Sequence, residues 1–247
     1  MQELIIVKLG GNAATQLSPA FFAQLHTWRD AGKQVLLIHG GGPQINAWSE
    51  KFGLKPIKKA GIRVTDAATL QVTQAVLIGV VQPQLCLALS QNDLPALGLN
   101  TTDEHLLVGD YLDQAIYGQV GAVKGVNAVA LKQFLSTHIG VLAPLAQTED
   151  GELLNVNADM AAAAVATALH ATKLVLLTDV PGVLADGAVV PKLSPQKAAQ
   201  LIATNVITKG MQPKIEAAAH TAQVVHEVVI TDALEHAGTI VEAAIAG

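Results

Sequence analysis

Leu4-Ile5-Ile6-Val7-Lys8-Leu9-Gly10-Gly11 and Val35-Leu36-Leu37-Ile38-His39-Gly40-Gly41-Gly42 decide the fold. Each is a four-residue apolar run of β-prone residues that ends in glycines. Helical patterns follow each one, at about 19–31 and 43–52. A strand–glycine–helix unit used twice with short connections predicts βαβ units and a parallel sheet. Neither strand alternates polar with apolar residues, so both faces of that sheet should be covered by helices.

Working outward, 55–66 reads as an exposed excursion with three lysines, Arg63 and Gly61. Residues 69–90 form a long helical pattern with Pro83 as a possible kink. Strands are predicted at 96–99, 140–145, 173–178 and 224–231, and helices at 194–203 and 211–223. Residues 105–125 carry four glycines and read as hairpins or a lid. Asp159 precedes an alanine-rich helix as a good N-cap. With no long linker and no repeat, two lobes on one continuous sheet fit better than two independent domains. The boundary is set at 172/173.

Composition narrows the function. The 247 residues are 51% hydrophobic and 14% charged, so the chain can bury a sizeable core and is not disordered. A net charge of -5 repels nucleic acid. The single cysteine, Cys86, excludes a disulfide within the chain and any paired-cysteine metal or redox motif. No secretory leader precedes the first strand, and no apolar run reads as long and clean enough to span a bilayer. A cytoplasmic protein with neither nucleic-acid nor membrane partners is expected.

Glycines between a strand and a helix let backbone N–H groups approach an anion, and the helix N-terminus favours its charge. Two such loops side by side, at the carboxyl edge where open α/β sheets bind ligands, point to an anion site. Neither fits GxxxxGK[ST] or GxGxxG. The His-Gly-Gly-Gly run resembles an esterase oxyanion loop, but the nucleophile-elbow motif GxSxG is missing. Lys8 stands at the mouth of the first loop, and Lys214 in the first turn of a late helix, where the macrodipole mildly disfavours a cation. Asp159 either caps its helix or orders those cations. Asn155 and Asn157 are ordinary turn residues. Taken singly, each position is explained at least as well by structure.

As a set, the residues resemble the acetylglutamate kinases of the amino-acid-kinase family. The matching runs are Lys8–Gly11, His39–Gly42, Gly61-Ile62-Arg63-Val64-Thr65-Asp66, Asn155-Val156-Asn157-Ala158-Asp159, Thr178–Leu184 and Thr208–Lys214. They keep the family's order from residue 4 to about 230. The resemblance implies a three-layer αβα sandwich on a mainly parallel open sheet. Its N-terminal lobe (1–172) would bind the acyl amino acid and its C-terminal lobe (173–247) ATP with Mg²⁺. Carried over by position, Lys8 and Lys214 stabilise the transferring phosphoryl group and Asp159 organises them. Gly10 and Gly11 form a phosphate loop, and Gly41, Gly42, Arg63, Asn155 and Asn157 bind substrate. Asp179, Val180, Pro181, Gly182, Val183, Leu184, Val206, Ile207 and Thr208 line the nucleotide pocket. The implied reaction phosphorylates the side-chain carboxylate of N-acetyl-L-glutamate, a step of arginine biosynthesis. The implied assembly is a homodimer built partly on the 69–89 helix. The run Gly238-Thr239-Ile240-Val241 departs from the family's ending, which leaves the last strand open. Competing readings are a related kinase of another acceptor, such as an aminoadipate derivative or glutamate, and a non-catalytic amino-acid sensor.

Overall fold

The computed structural model describes residues 2–10, 17–207 and 211–243, apart from the side chain of Pro213. Strand β1 (Leu4–Leu9), helix α1 (Pro19–Asp30), β2 (Gln34–His39) and α2 (Gly42–Lys51) are the two units read from the sequence. A small hairpin, β3 (Lys58–Lys59) and β4 (Ile62–Arg63), leads into α3 (Ala67–Val76) and α4 (Gln82–Ser90), which a π-helical turn joins into one run. Next come β5 (Ala96–Leu99), β6 (Leu107–Tyr111), α5 (Gln114–Tyr117), β7 (Val120–Val126), α6 (Ala128–Leu135), β8 (Ile139–Leu142), β9 (Leu145–Gln147) and β10 (Leu153–Val156). The remainder is α7 (Ala158–Leu169), β11 (Lys173–Leu177), β12 (Leu184–Ala185), β13 (Ala188–Val189), β14 (Lys192–Leu193), α8 (Pro195–Ala203), α9 (Gln212–Thr221), β15 (Glu227–Thr231) and β16 (Thr239–Val241).

The eight-stranded sheet runs β14-β16-β15-β11-β1-β2-β8-β5, and every neighbouring pair is parallel except β15 with β16. The expected boundary at 172/173 separates β1 from β11, which are hydrogen-bonded neighbours. Alternation along β1 sends Leu4 and Ile6 into the core under α6–α9, and Ile5, Val7 and Leu9 into the core under α1–α4. Both faces are covered, which is why the strands are apolar throughout. The same period of two puts Lys8 on the α7 side.

Several local expectations change. The strand read at 140–145 is two: β8 in the main sheet, then β9 beyond Pro144 in a closed barrel of order β10-β7-β6-β9. The glycine-rich 105–125 stretch supplies two of that barrel's strands, β6 and β7. The helix bulges at Leu77–Val81, one turn ahead of Pro83, because a proline ring cannot sit against a regular preceding turn. Residues 67–90 thereby form one helix of 24 residues, in which an 18-residue stretch has a mean hydropathy of 1.6, long and apolar enough to cross a membrane on those two measures. The sequence reading saw no such run. Leu70, Val76, Leu77, Val81, Leu85 and Leu89 of this helix are buried, as in a core helix. The doubtful final strand is present. Thr239 in β16 accepts the Val183 N–H at 2.8 Å and donates to the Val190 carbonyl at 2.7 Å, pinning the loop after β11.

The small hairpin is tied down at its base. Thr65 forms a bridge to Gly118 (φ 69°, ψ −132°), and a Cβ at Gly118 would overlap the Thr65 carbonyl. Gly53 (φ +72°) has the same sign of φ, but a Cβ there meets nothing within 4 Å. Gly53→Ala should therefore cost about 1 kcal/mol, the conformational term alone. Gly118→Ala should cost about 3 kcal/mol or more, because backbone must also move. Denaturant melts of the two variants check this: equal losses would mean that the hairpin base is free to shift.

Candidate active site

The carboxyl ends of β1 and β2 lie side by side, with the Gly40 N–H donating to the Leu9 carbonyl at 2.9 Å. Above them opens a cavity of about 260 Å³, lined by Lys8, Gly41, Gly42, Arg63, Asn155 and Asp159 among others. A Cβ on Gly41 would come to 2.9 Å from Leu77 Cδ2 in the π-helical turn, so glycine lets the loop pack there. Around Gly42 nothing lies within 4 Å of such an atom, which leaves its backbone open to a ligand.

Asp159 is not the cap of α7. Asn157 caps it, its Oδ1 accepting the N–H groups of Asp159 at 2.9 Å and Met160 at 3.2 Å. The cap sits two residues earlier than expected because Asn157 still has extended backbone (φ −61°, ψ 128°). Freed of that task, Asp159 Oδ1 accepts from Lys8 Nζ at 2.9 Å and from Lys214 Nζ at 2.7 Å. Lys8 comes from β1 and Lys214 from the first turn of α9; both are buried. Burial by itself would raise the Asp159 carboxyl's pKa, but the charges and hydrogen bonds of the two lysines hold it below the usual range. Burial lowers the Lys214 pKa, and Lys8 adds to this, against the pull of Asp159. Two ammonium groups on one carboxylate leave a net positive charge at the wall of the cavity.

Arg63 adds another. Its Nη2 donates to Asn46 Oδ1 at 2.6 Å and to the Gly42 carbonyl at 3.3 Å, while Nη1 is buried without a partner. The residue is 8% exposed, and burial lowers its pKa. None of the ion pairs among the described residues includes it, so the guanidinium is buried without a counter-charge. Asn46 was not singled out from the sequence: an asparagine in mid-helix carries no signal of this use. Asn155 donates from Nδ2 to Thr65 Oγ1 at 3.0 Å. Asn157 lines the same cavity, with its Oδ1 taken by the cap.

The expected nucleotide residues lie apart from this cavity. Asp179–Leu184 is the turn after β11, where Thr178 donates to Asp179 at 3.1 Å. Gly182 (φ +153°) fits against Thr239 and Val189, and Pro181 and Leu184 are exposed. Val183 and Ile207 are core residues at 2% and 5% exposure, so their side chains face inward. Leu184 and Val206 present apolar surface to solvent. Gly10 packs 3.1 Å from the Leu177 carbonyl, measured from where its Cβ would be. Gly11 and Thr208 lie outside the described residues.

Residues 3–232 match the model of the Amino acid kinase family. The chain is 51% identical over 242 residues to an acetylglutamate kinase of Lactiplantibacillus plantarum, covering 98% of each chain. It is 44% identical over 244 residues to an acetylglutamate kinase of Leuconostoc citreum, covering 98% of this chain and 99% of that one. Among solved structures, smu.665 from Streptococcus mutans UA159 superposes with a TM-score of 0.93 at 40% identity, covering 98% of this chain and all of the other.

His39, just before the glycine loop, is fully buried. Its Nδ1 lies 3.1 Å from the Gly40 carbonyl, which can only accept, so Nδ1 carries the proton. Nε2 has no partner, and burial drives the pKa from 6.5 down to about 4. The fold therefore holds a neutral ring, and the unfolded chain binds a proton more readily below pH 6.5. Stability should be full above about 6.5 and fall as the pH drops toward 4, by on the order of 2 kcal/mol at pH 5. His39→Asn, which keeps a donor for Gly40, should flatten that slope. Thermal melts from pH 4 to 7.5 measure it, and equal slopes in both proteins would exclude His39 as the cause.

Proposed function

The chain belongs to the amino acid kinase family, and we propose that its cavity transfers the γ-phosphoryl group of ATP to the side-chain carboxylate of N-acetyl-L-glutamate, a step of arginine biosynthesis. The observation that carries the reading is the Lys8–Asp159–Lys214 cluster beside the unpaired guanidinium of Arg63. A carboxylate is ionised at neutral pH and needs no base. Its difficulty is to approach an anionic phosphate. An oxygen of the carboxylate attacks the γ-phosphorus, the bond to the β–γ bridging oxygen breaks, and ADP leaves with that electron pair. Lys8 favours charge on the transferring group, and Lys214 favours charge on the bridging side. Each is worth about 3–4 kcal/mol of barrier by analogy with oxyanion donors. Two lysines sharing one carboxylate are held in register without being neutralised, which supports turnover over mere sensing.

Gly41, Gly42, Arg63, Asn155 and Asn157 form the substrate side, and Gly10 and Gly11 the phosphate loop. Asp179–Leu184 and Val206–Thr208 form the nucleotide side, with Val183 and Ile207 contributing backbone only. This divides the work between lobes 1–172 and 173–247. The described residues hold no cluster of three acidic, histidine or cysteine side chains, and Asp159 is taken by two lysines. That donor set does not fit a protein-held metal; Mg²⁺ arrives on the oxygens of ATP. Between Ala67 and Ser90 no residue is charged, and Ala75, Gly79, Pro83 and Leu87 stand exposed at every fourth position. That face supports a homodimer. We assign the protein to the cytoplasm.

Lys8→Ala and Lys214→Ala should each lower kcat by about 100-fold or more with smaller changes in KM, read by hydroxylamine trapping of the acyl phosphate. Asp159→Asn should lose activity and also about 3 kcal/mol of stability, since two buried ammonium groups would face each other. Retained kcat in either lysine variant would remove that lysine from the phosphoryl path.

Arg63→Lys tests the substrate. A lysine cannot reproduce two parallel hydrogen bonds to a carboxylate. The KM for acetylglutamate should rise at least several-fold and that for ATP should not. Replacing the α-carboxylate by an amide should penalise the wild type much more than the variant. Equal penalties would put the carboxylate elsewhere.

A further inference from the structure

We infer that Thr65 fixes which way the Asn155 carboxamide faces, and so makes the cavity select a ligand that pairs a carboxylate with a neighbouring N–H. This deepens the reading above and rests on it. Thr65 is fully buried, and its backbone is tied on both sides: its N–H donates to the Tyr117 carbonyl at 2.8 Å, and its carbonyl accepts from Gln119 at 2.7 Å. The backbone N–H of Asn155 also donates to Gln119, at 3.0 Å. Neither side chain can drift at its root.

The Thr65 hydroxyl has one proton. It goes to the Arg63 carbonyl at 3.1 Å, which can only accept. Toward Asn155 the hydroxyl therefore offers lone pairs, and Asn155 must answer with Nδ2, at 3.0 Å. The flipped amide would either set two acceptors against each other or draw the hydroxyl proton off the Arg63 carbonyl and forfeit that bond. Asn155 Oδ1 is left as an acceptor, with no partner among the described residues, on a residue that lines the cavity. Arg63 contributes the opposite polarity, a buried Nη1 without a partner. The hydroxyl thus leaves Asn155 Oδ1 as an acceptor for an N–H on a lining that also carries Arg63, a donor for a carboxylate. An N-acyl amino acid carries those two groups on one carbon. Thr65 is a positioning residue, since it acts through Asn155 and Arg63.

The experiment compares Thr65→Val, which keeps the shape and removes the hydroxyl, with Thr65→Ser, which keeps it. Acetylglutamate is assayed beside 2-acetoxyglutarate, in which an ester oxygen replaces the N–H, by ADP release. Wild type and Thr65→Ser should favour the amide over the ester by roughly tenfold or more in KM. Thr65→Val should raise the KM for acetylglutamate by roughly tenfold and bring the amide-to-ester ratio close to one, with kcat and the KM for ATP within about twofold. An unchanged ratio in Thr65→Val overturns the proposal. So does a variant that loses kcat and both KM values together, since Thr65 would then only hold the scaffold. If the valine variant does not fold, Thr65→Ala is read by the same ratio. Should wild type fail to phosphorylate acetylglutamate, the functional reading falls; calorimetric binding of the same two ligands then still decides for or against Thr65.

Discussion

A single carboxylate oxygen joins three distant parts of this chain. Asp159 Oδ1 takes an ammonium from the first strand and another from the last long helix. Removing two like charges from water is costly, and they repel each other once buried. Without Asp159 the two buried ammonium groups would face each other with no carboxylate between them. With it, the cluster keeps a net positive charge at the end of an apolar sheet. α7 must therefore start where it does, and its cap must be a residue other than Asp159.

The rest of the cavity follows the same electrostatic logic. The protein is acidic overall, yet its buried charge at the sheet edge is cationic. Arg63 reaches the cavity from a hairpin otherwise exposed to water, and its carbonyl, through Thr65, touches the residue opposite. His39 adds no charge, since its burial keeps the ring neutral. The glycine loop in front of it can then offer backbone N–H groups without a competing cation. Attraction for an anion comes from Lys8, Lys58 and Arg63 on the lining, with Lys214 held behind Asp159, on a strand, a hairpin and a helix.

What could be read in advance depended on whether the signal was local. β1 and β2 were legible because continuous apolar runs ending in glycine have few other uses. α8 was legible from Ser194-Pro195, and the structure puts Ser194 at its cap. Gly140–Leu145 was misread as one strand, because the turn at Pro144 sends its second half into a barrel closed by residues from four segments. The kink expected at Pro83 takes the form of a π-helical turn over Leu77–Val81, in the residues before the ring.

The sequence alone determined the parallel, doubly covered sheet, the two glycine loops and a short set of cations without a base. Those follow from periodicity, φ freedom and side-chain charge, which each residue carries with it. Tertiary structure alone decided that Lys8 and Lys214 share one oxygen and that Asn157 rather than Asp159 caps α7. It also decided that the Arg63 guanidinium is buried unpaired and that Thr65 orients Asn155. These depend on distances between residues up to 206 positions apart along the chain, as between Lys8 and Lys214. No local pattern encodes a hydrogen bond's partner, because the partner is chosen by packing.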